Sequence, residues 1–110
     1  MSWVDIGTLD DIPVRGARVV KTPLGCVAIF RTTDDEVYAL DDACPHKGGP
    51  LSEGIVHGKS ITCPLHNRVY SFETGEAQGS DPEVVATYAV KIEDGRLLLD
   101  ASKLKARSAA

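Results

Sequence analysis

Four residues constrain this chain more than any others: Cys44, His46, Cys63 and His66. They come as two short runs, Cys44-Pro45-His46 and Cys63-Pro64-Leu65-His66, separated by residues 47–62. Each run offers one sulfur and one imidazole from a stretch rich in Gly and Pro. In an extended segment side chains two apart point the same way, so Cys44 and His46 face one site. Cys63 and His66 are three apart, a spacing that suits a tight turn folding both side chains onto one centre. Two soft sulfurs and two imidazoles on paired loops describe a metal site.

A [2Fe–2S] centre of mixed ligation needs two thiolates on one iron and two histidines on the other. The paired runs supply this symmetrically, each loop giving one ligand to each iron. Structural zinc held by two Cys and two His is the competing reading. Zinc sites of that kind usually group Cys with Cys and His with His at short spacing. Here the two types are interleaved, and Cys44–His46 is a cramped bite for a single tetrahedral ion. The interleaving favours the cluster and leaves zinc as the alternative. A coincidence without any metal, each Cys being a small buried hydrophobe, is the weakest reading, because loops flanked by Gly and Pro are poor places for a core.

A chain of 110 residues is expected to form one domain with a modest core. Aromatic residues make up only 5%, so Val, Ile and Leu are expected to build that core. The net charge of −4 argues against nucleic acid and against an anionic membrane as partners. No charged leader precedes an apolar stretch and no apolar run approaches bilayer length, so a soluble, cytoplasmic protein is expected. Cys26 is the one cysteine outside the motif. An internal disulfide would therefore take a sulfur from the metal site, which fits a reducing compartment.

The remainder reads as β-structure. Trp3–Ile6 is a short strand; Ala17–Lys21 and Gly25–Arg31 flank a Thr22-Pro23-Leu24-Gly25 turn and make a hairpin. Cys26 opens the second of these strands and is expected to be a small buried residue. Thr32–Asp35 is a turn leading to Val37–Leu40, which delivers the chain to the first ligand run. Gly48, Gly49 and Pro50 let the backbone approach a bulky ligand, since Gly carries no Cβ. Ile55-Val56 and Ser60–Thr62 flank a His57-Gly58 turn, and His57 is expected to be solvated rather than a ligand. Val69–Phe72 is a strand, Glu73–Glu76 a turn, and Gly79–Pro82 either a third loop near the site or a plain connector. Val84–Ile92 and Arg96–Asp100 pair across Glu93-Asp94-Gly95. No helical periodicity persists over three turns, so the expected fold class is all-β.

The runs Cys44-Pro-His46-Lys-Gly-Gly-Pro50-Leu-Ser-Glu-Gly54 and Cys63-Pro-Leu-His66-Asn-Arg-Val-Tyr70 resemble a Rieske-type ferredoxin. The likeness extends through Phe72–Gly79 and over most of residues 3–100. More narrowly, the His-Lys-Gly-Gly-Pro and Leu-His-Asn stretches resemble the small subunit of assimilatory NAD(P)H-dependent nitrite reductase. The ferredoxin component of an aromatic-ring dioxygenase shares the fold and cluster and is the alternative; a zinc-stabilised interaction module is a third. The resemblance implies an antiparallel β-sandwich-like base carrying a small cluster-binding subdomain formed by two loops. On this sequence that is one domain over residues 1–101, the subdomain over about 41–72, and a flexible tail over 102–110. It implies one Rieske [2Fe–2S] cluster held by Cys44, His46, Cys63 and His66. It also implies a large partner carrying flavin, an iron–sulfur cluster and sirohaem, where nitrite becomes ammonia, or in the alternative an oxygenase and its reductase.

Charge explains what such a ligand set does. Two thiolates, two sulfides and two ferric irons sum to about zero, whereas four thiolates would give about −2, so neutral imidazoles make reduction easier. No nucleophile, paired carboxylate or substrate pocket is apparent, so the chain is expected to carry one electron and to convert no substrate itself. Compared with respiratory Rieske proteins, Leu65 stands where a bridging Cys would be and Arg68 where a Ser hydroxyl would bond a cluster sulfur. Tyr70 stands where a Tyr is expected. Arg68 reads either as a solvated cation or as a docking or tuning residue.

Overall fold

Four consecutive apolar residues, Val27 to Phe30, decide the architecture. A strand with one face in water alternates apolar and polar residues, so an unbroken run marks a strand covered on both sides. In the computed structural model, which describes residues 3–22, 25–42, 50–64, 68–77 and 84–100, all four are buried within strand β3 (Gly25–Arg31).

β3 lies inside an antiparallel sheet of order β2-β3-β4-β8, with β2 at Ala17–Thr22, β4 at Val37–Asp41 and β8 at Thr87–Tyr88. Val27 and Ile29 face one apolar cluster, with Ile12, Ala39, Tyr88, Leu97 and Leu99. That side is covered by a sheet of order β1-β10-β9, comprising Trp3–Thr8, Arg96–Asp100 and Val90–Glu93. Ala28 and Phe30 face a second cluster, which takes in Leu51, Val56, Ile61, Cys63 and Tyr70. Over it lies the third sheet, β5-β6-β7, at Ile55–His57, Ser60–Thr62 and Val69–Ser71. The fold is thus all-β and antiparallel, with the four-stranded sheet as the shared middle layer. Among the described residues the only helical pieces are 3-10 turns at Leu9–Asp11 and Leu51–Glu53, and no helix is long and apolar enough to cross a membrane.

Local chemistry accounts for the joints. Thr22 pairs with Gly25 to close the first hairpin; Pro23 and Leu24 of its turn lie outside the described residues, as do 78–83 and 101–110. Asp94 and Gly95 both take positive φ, 52° and 77°, the pattern of a type I′ turn whose twist matches its strands. Arg31, its side chain largely buried, donates to Ile12 O at 2.8 Å and Leu9 O at 3.3 Å and pairs with Asp35 at 2.8 Å. It thereby fastens the first 3-10 turn to the end of β3. Across β1 and β10, Arg96 donates two 2.9 Å hydrogen bonds to Asp5. That guanidinium, with the Gly7 N–H behind it, holds the Asp5 carboxyl below the usual carboxylate range.

Four expectations change. Cys26 is exposed rather than buried, because it sits at the end of β3 opposite Lys21, beyond the length that the clusters cover. Val84–Ile92 is not one strand: Val84 makes a single bridge to Glu76, β8 serves the middle sheet and β9 the outer one. The chain changes layer at Ala89, whose carbonyl accepts the Asp100 N–H. His57 ends β5 instead of forming the turn, which falls on Gly58 and Lys59. Aromatic residues, though few, are not marginal: Tyr70, Phe30 and Phe72 are among the largest fully buried side chains. Phe30 and Phe72 lie 5.0 Å apart, and Tyr38 stacks on Phe72 at 5.3 Å.

The two-sided burial of β3 makes a direct prediction. Phe30→Ala should cost about 3–5 kcal/mol and Ile29→Ala about 2–5 kcal/mol, although they face opposite clusters. Val19→Thr, on half-exposed β2, should fall within about 0.5 kcal/mol of the parent. Urea unfolding at constant m-value measures all three; a near-neutral Ile29→Ala would mean that the outer sheet is not packed on the middle one.

Candidate metal centre

The register of the β5-β6-β7 sheet collects the loop ends. Ile55 pairs with Thr62, and Thr62 pairs with Val69. The exit of the first ligand run, the entry to the second and the exit of the second therefore lie side by side at one end of this small sheet. Of the four motif residues, Cys63 falls within the described residues; Cys44, His46 and His66 lie outside them, as do Gly48, Gly49 and the Gly79–Pro82 stretch.

Cys63 is fully buried, packed in the cluster that contains Leu51, Val56 and Tyr70. Its N–H donates to Arg68 O at 2.7 Å, closing the loop between β6 and β7 across its neck. Pro64 follows Cys63 and carries no N–H to satisfy. A thiolate so far from water needs a cation to offset its charge. The setting fits an iron–sulfur cluster: a dry, soft donor held in a closed loop, with an imidazole-bearing residue three positions on and a matching Cys/His pair in the other loop.

The first loop is bounded equally firmly. Asp42 follows β4, and its N–H donates to Cys26 O at 3.0 Å. On the far side of residues 43–49, the Ser52 N–H donates to Asp42 Oδ1 at 2.8 Å and the Ser52 hydroxyl to Asp42 Oδ2 at 3.0 Å. Ser52 belongs to the Leu51–Glu53 turn, anchored by fully buried Leu51. Gly54 then passes so close to β6 that an added Cβ would lie 2.1 Å from Thr62 O. Only a residue without a side chain permits that approach.

Other singled-out residues take definite places. His57 is exposed, with Nε2 2.6 Å from Thr62 Oγ1, in keeping with the expected solvated role. Tyr70 is fully buried beneath the sheet. Arg68 is not a solvated surface cation: it is half-buried, with Nη1 shielded from solvent. The bracketing roles of Asp42 and Ser52 were not evident in sequence; the available signal was a carboxylate and a hydroxyl on the two shoulders of a ligand-bearing loop.

Residues 2–100 match the family of the Rieske-like [2Fe-2S] domain. The chain is 35% identical over 99 residues to the ferredoxin component of the naphthalene 1,2-dioxygenase/salicylate 5-hydroxylase systems of Ralstonia sp., spanning 89% of this chain and 94% of that relative. Among solved structures it resembles one assigned as the small subunit of an NADPH nitrite reductase, with TM-score 0.83 and 25% identity over 92% of this chain and all of that one. It also resembles a chain from the complex of reduced oxygenase and oxidised ferredoxin in carbazole 1,9a-dioxygenase, with TM-score 0.79 and 25% identity over 88% of this chain and 100% of that one. With the all-β layers and the buried loop cysteine, the match leaves no place for a zinc module: the chain belongs to the Rieske-like [2Fe-2S] domain family and is a Rieske ferredoxin, an electron carrier whose cofactor is a Rieske-type [2Fe–2S] cluster.

Proposed function

We propose that this chain is the one-electron shuttle between a flavoprotein reductase and the terminal oxygenase of an aromatic-ring-hydroxylating system, working in the cytoplasm. The observation that carries this reading is the 35% identity along almost the whole length of a dioxygenase ferredoxin. The small subunit of an NAD(P)H nitrite reductase, with a large sirohaem-containing partner, is the second reading. It is favoured by the TM-score of 0.83 to a nitrite reductase small subunit and by the His46-Lys47-Gly48-Gly49-Pro50 and Leu65-His66-Asn67 stretches. Either way the reading is of one domain over residues 1–101, its cluster-binding part over about 41–72, followed by a tail.

In this reading Cys44 and Cys63 hold one iron and His46 and His66 the other. The bound cluster supplies storage and release of a single electron. With the cluster bound, His46 and His66 would each ligate through one imidazole nitrogen and could hold or release a proton at the other, which would couple protonation to redox state. Cys63 is buried among apolar side chains and would hold its iron on a side shielded from water. No residue of the chain is assigned to bond chemistry on a substrate; that task falls to the partner.

The partner test is stopped-flow oxidation of the reduced protein, with a purified ring-hydroxylating oxygenase in one syringe series and a sirohaem nitrite reductase large subunit in another. Saturable, fast oxidation by the oxygenase alone is expected. Fast oxidation by the reductase subunit alone would move the second reading to first place.

The reduction potential is the second prediction. Rieske centres span roughly −150 to +300 mV, set by hydrogen bonds to sulfur, net charge and exposure. Arg68 replaces the Ser hydroxyl of the high-potential type, and the chain is already at −4, so the midpoint should fall in roughly the lower third of that range. Because Arg68 is half-buried, its charge is incompletely screened and favours the added electron, so Arg68→Gln should lower the midpoint further. Voltammetry at neutral pH measures both; a parent midpoint well above zero would mean that another donor replaces the missing hydroxyl.

A further inference from the structure

We infer that Asp42 is a positioning residue for the first ligand loop: its carboxylate brackets the loop by binding Ser52 through both oxygens. This inference rests on the cluster reading above and extends it to a residue outside the ligand set.

The geometry is specific. The two carboxylate oxygens of Asp42 are used separately, one by the Ser52 N–H at 2.8 Å and one by the Ser52 hydroxyl at 3.0 Å. A surface Asp that merely tolerated its neighbour would not engage both donors of a single residue ten positions away. Asp42 is itself fixed to the scaffold, because its N–H donates to Cys26 O at 3.0 Å. Ser52 is fixed too, between fully buried Leu51 and the Gly54 approach to Thr62 O. Thus the entry and the exit of residues 43–49 are joined by one side chain, each end already tied to a different sheet.

The consequence is entropic and directional. A flexible loop with unjoined ends samples many end-to-end distances, and closing it has a cost that grows with its length. Asp42 meets that cost in the protein scaffold, so metal bonds need not. The second loop has its own closure in the Cys63 N–H to Arg68 O bond, made by backbone and insensitive to side-chain replacement. Among the described residues, the bonds that join the two ends of the first loop are made by a side chain. Loss of Asp42 should therefore loosen the Cys44/His46 half of the centre selectively.

The test uses the full chain loaded with its cluster. Visible absorption follows release of the cluster into excess chelator, and voltammetry gives the midpoint. Asp42→Ala removes both hydrogen bonds and should speed release by about tenfold, the factor expected for a charge-assisted bond to a backbone donor. Asp42→Asn preserves both bonds, its carbonyl accepting the Ser52 N–H and its amide donating to the Ser52 hydroxyl, and should stay within about twofold of the parent. It also removes a negative charge beside the loop, so its midpoint should rise, a change that loss of fold alone would not produce. Should Asp42→Ala fail to fold, Ser52→Ala carries the test, with release accelerated by about threefold because one bond of the two remains. Equal release from Asp42→Ala and parent would overturn the inference, as would Asp42→Asn being as labile as Asp42→Ala, or Ser52→Ala matching the parent. A parent protein that shows no Rieske spectrum after reconstitution would instead overturn the cluster reading itself, so the two failures are distinguishable.

Discussion

The pairing of Thr62 with Ile55 on one side and Val69 on the other is the constraint from which the site follows. Three short strands carry little stability alone, since an isolated small sheet is marginal in water. What they supply is register. A slip of one residue would turn Val56, Ile61 and Tyr70 from the cluster to solvent, and all are at most 3% exposed. Because burial forbids the slip, the chain ends entering and leaving the ligand loops are held side by side. Cys63 then sits on the inner side with its amide already committed to Arg68 O.

That small sheet is in turn held by the middle layer. Phe30 from β3 meets Phe72 just beyond β7, and Tyr38 from β4 stacks on the same ring. The few aromatic residues of the chain are thus concentrated between the middle sheet and the layer that carries Cys63, while aliphatic side chains dominate the far side. Large rigid rings give contact area with little rotamer freedom to lose. This suits a seam that must hold loop ends steady while charge enters and leaves nearby. The flanking residues divide accordingly: the Asp42 side chain joins the first loop's ends, and the backbone carbonyl of half-buried Arg68 closes the neck of the second.

Much of this was legible in the sequence, for reasons that can be named. The Gly25–Arg31 strand and the Asp94-Gly95 turn are local signals, and the structure contains both, although the covering of that strand on its two faces emerges only from the layers. The four motif residues are proposed from ligand chemistry and spacing; of them Cys63 lies among the described residues, and it is fully buried. What was not legible depends on where layers begin and end. Cys26 has the composition of a buried position but lies past the edge of both clusters. Val84–Ile92 has strand composition throughout, yet the chain passes between sheets at Ala89. The contact of Asp42 with Ser52 spans ten positions, and the burial of Arg68 depends on which side of a closed loop it occupies. No local pattern encodes those relations. The choice between electron acceptors is equally non-local, because it belongs to a surface shared with another protein.

The central claim is that two cysteines and two histidines, one of each from each loop, hold a single [2Fe–2S] centre. Pulsed electron paramagnetic resonance of the reduced protein, grown with nitrogen-15 histidine, tests it most directly. The account predicts two strongly coupled histidine nitrogens, with the signal abolished by Cys63→Ser and by His66→Ala and unchanged by Cys26→Ser, since Cys26 lies outside both ligand runs and is exposed. No coupled nitrogen, or loss of the signal in Cys26→Ser with its retention in Cys63→Ser, would contradict the ligand set.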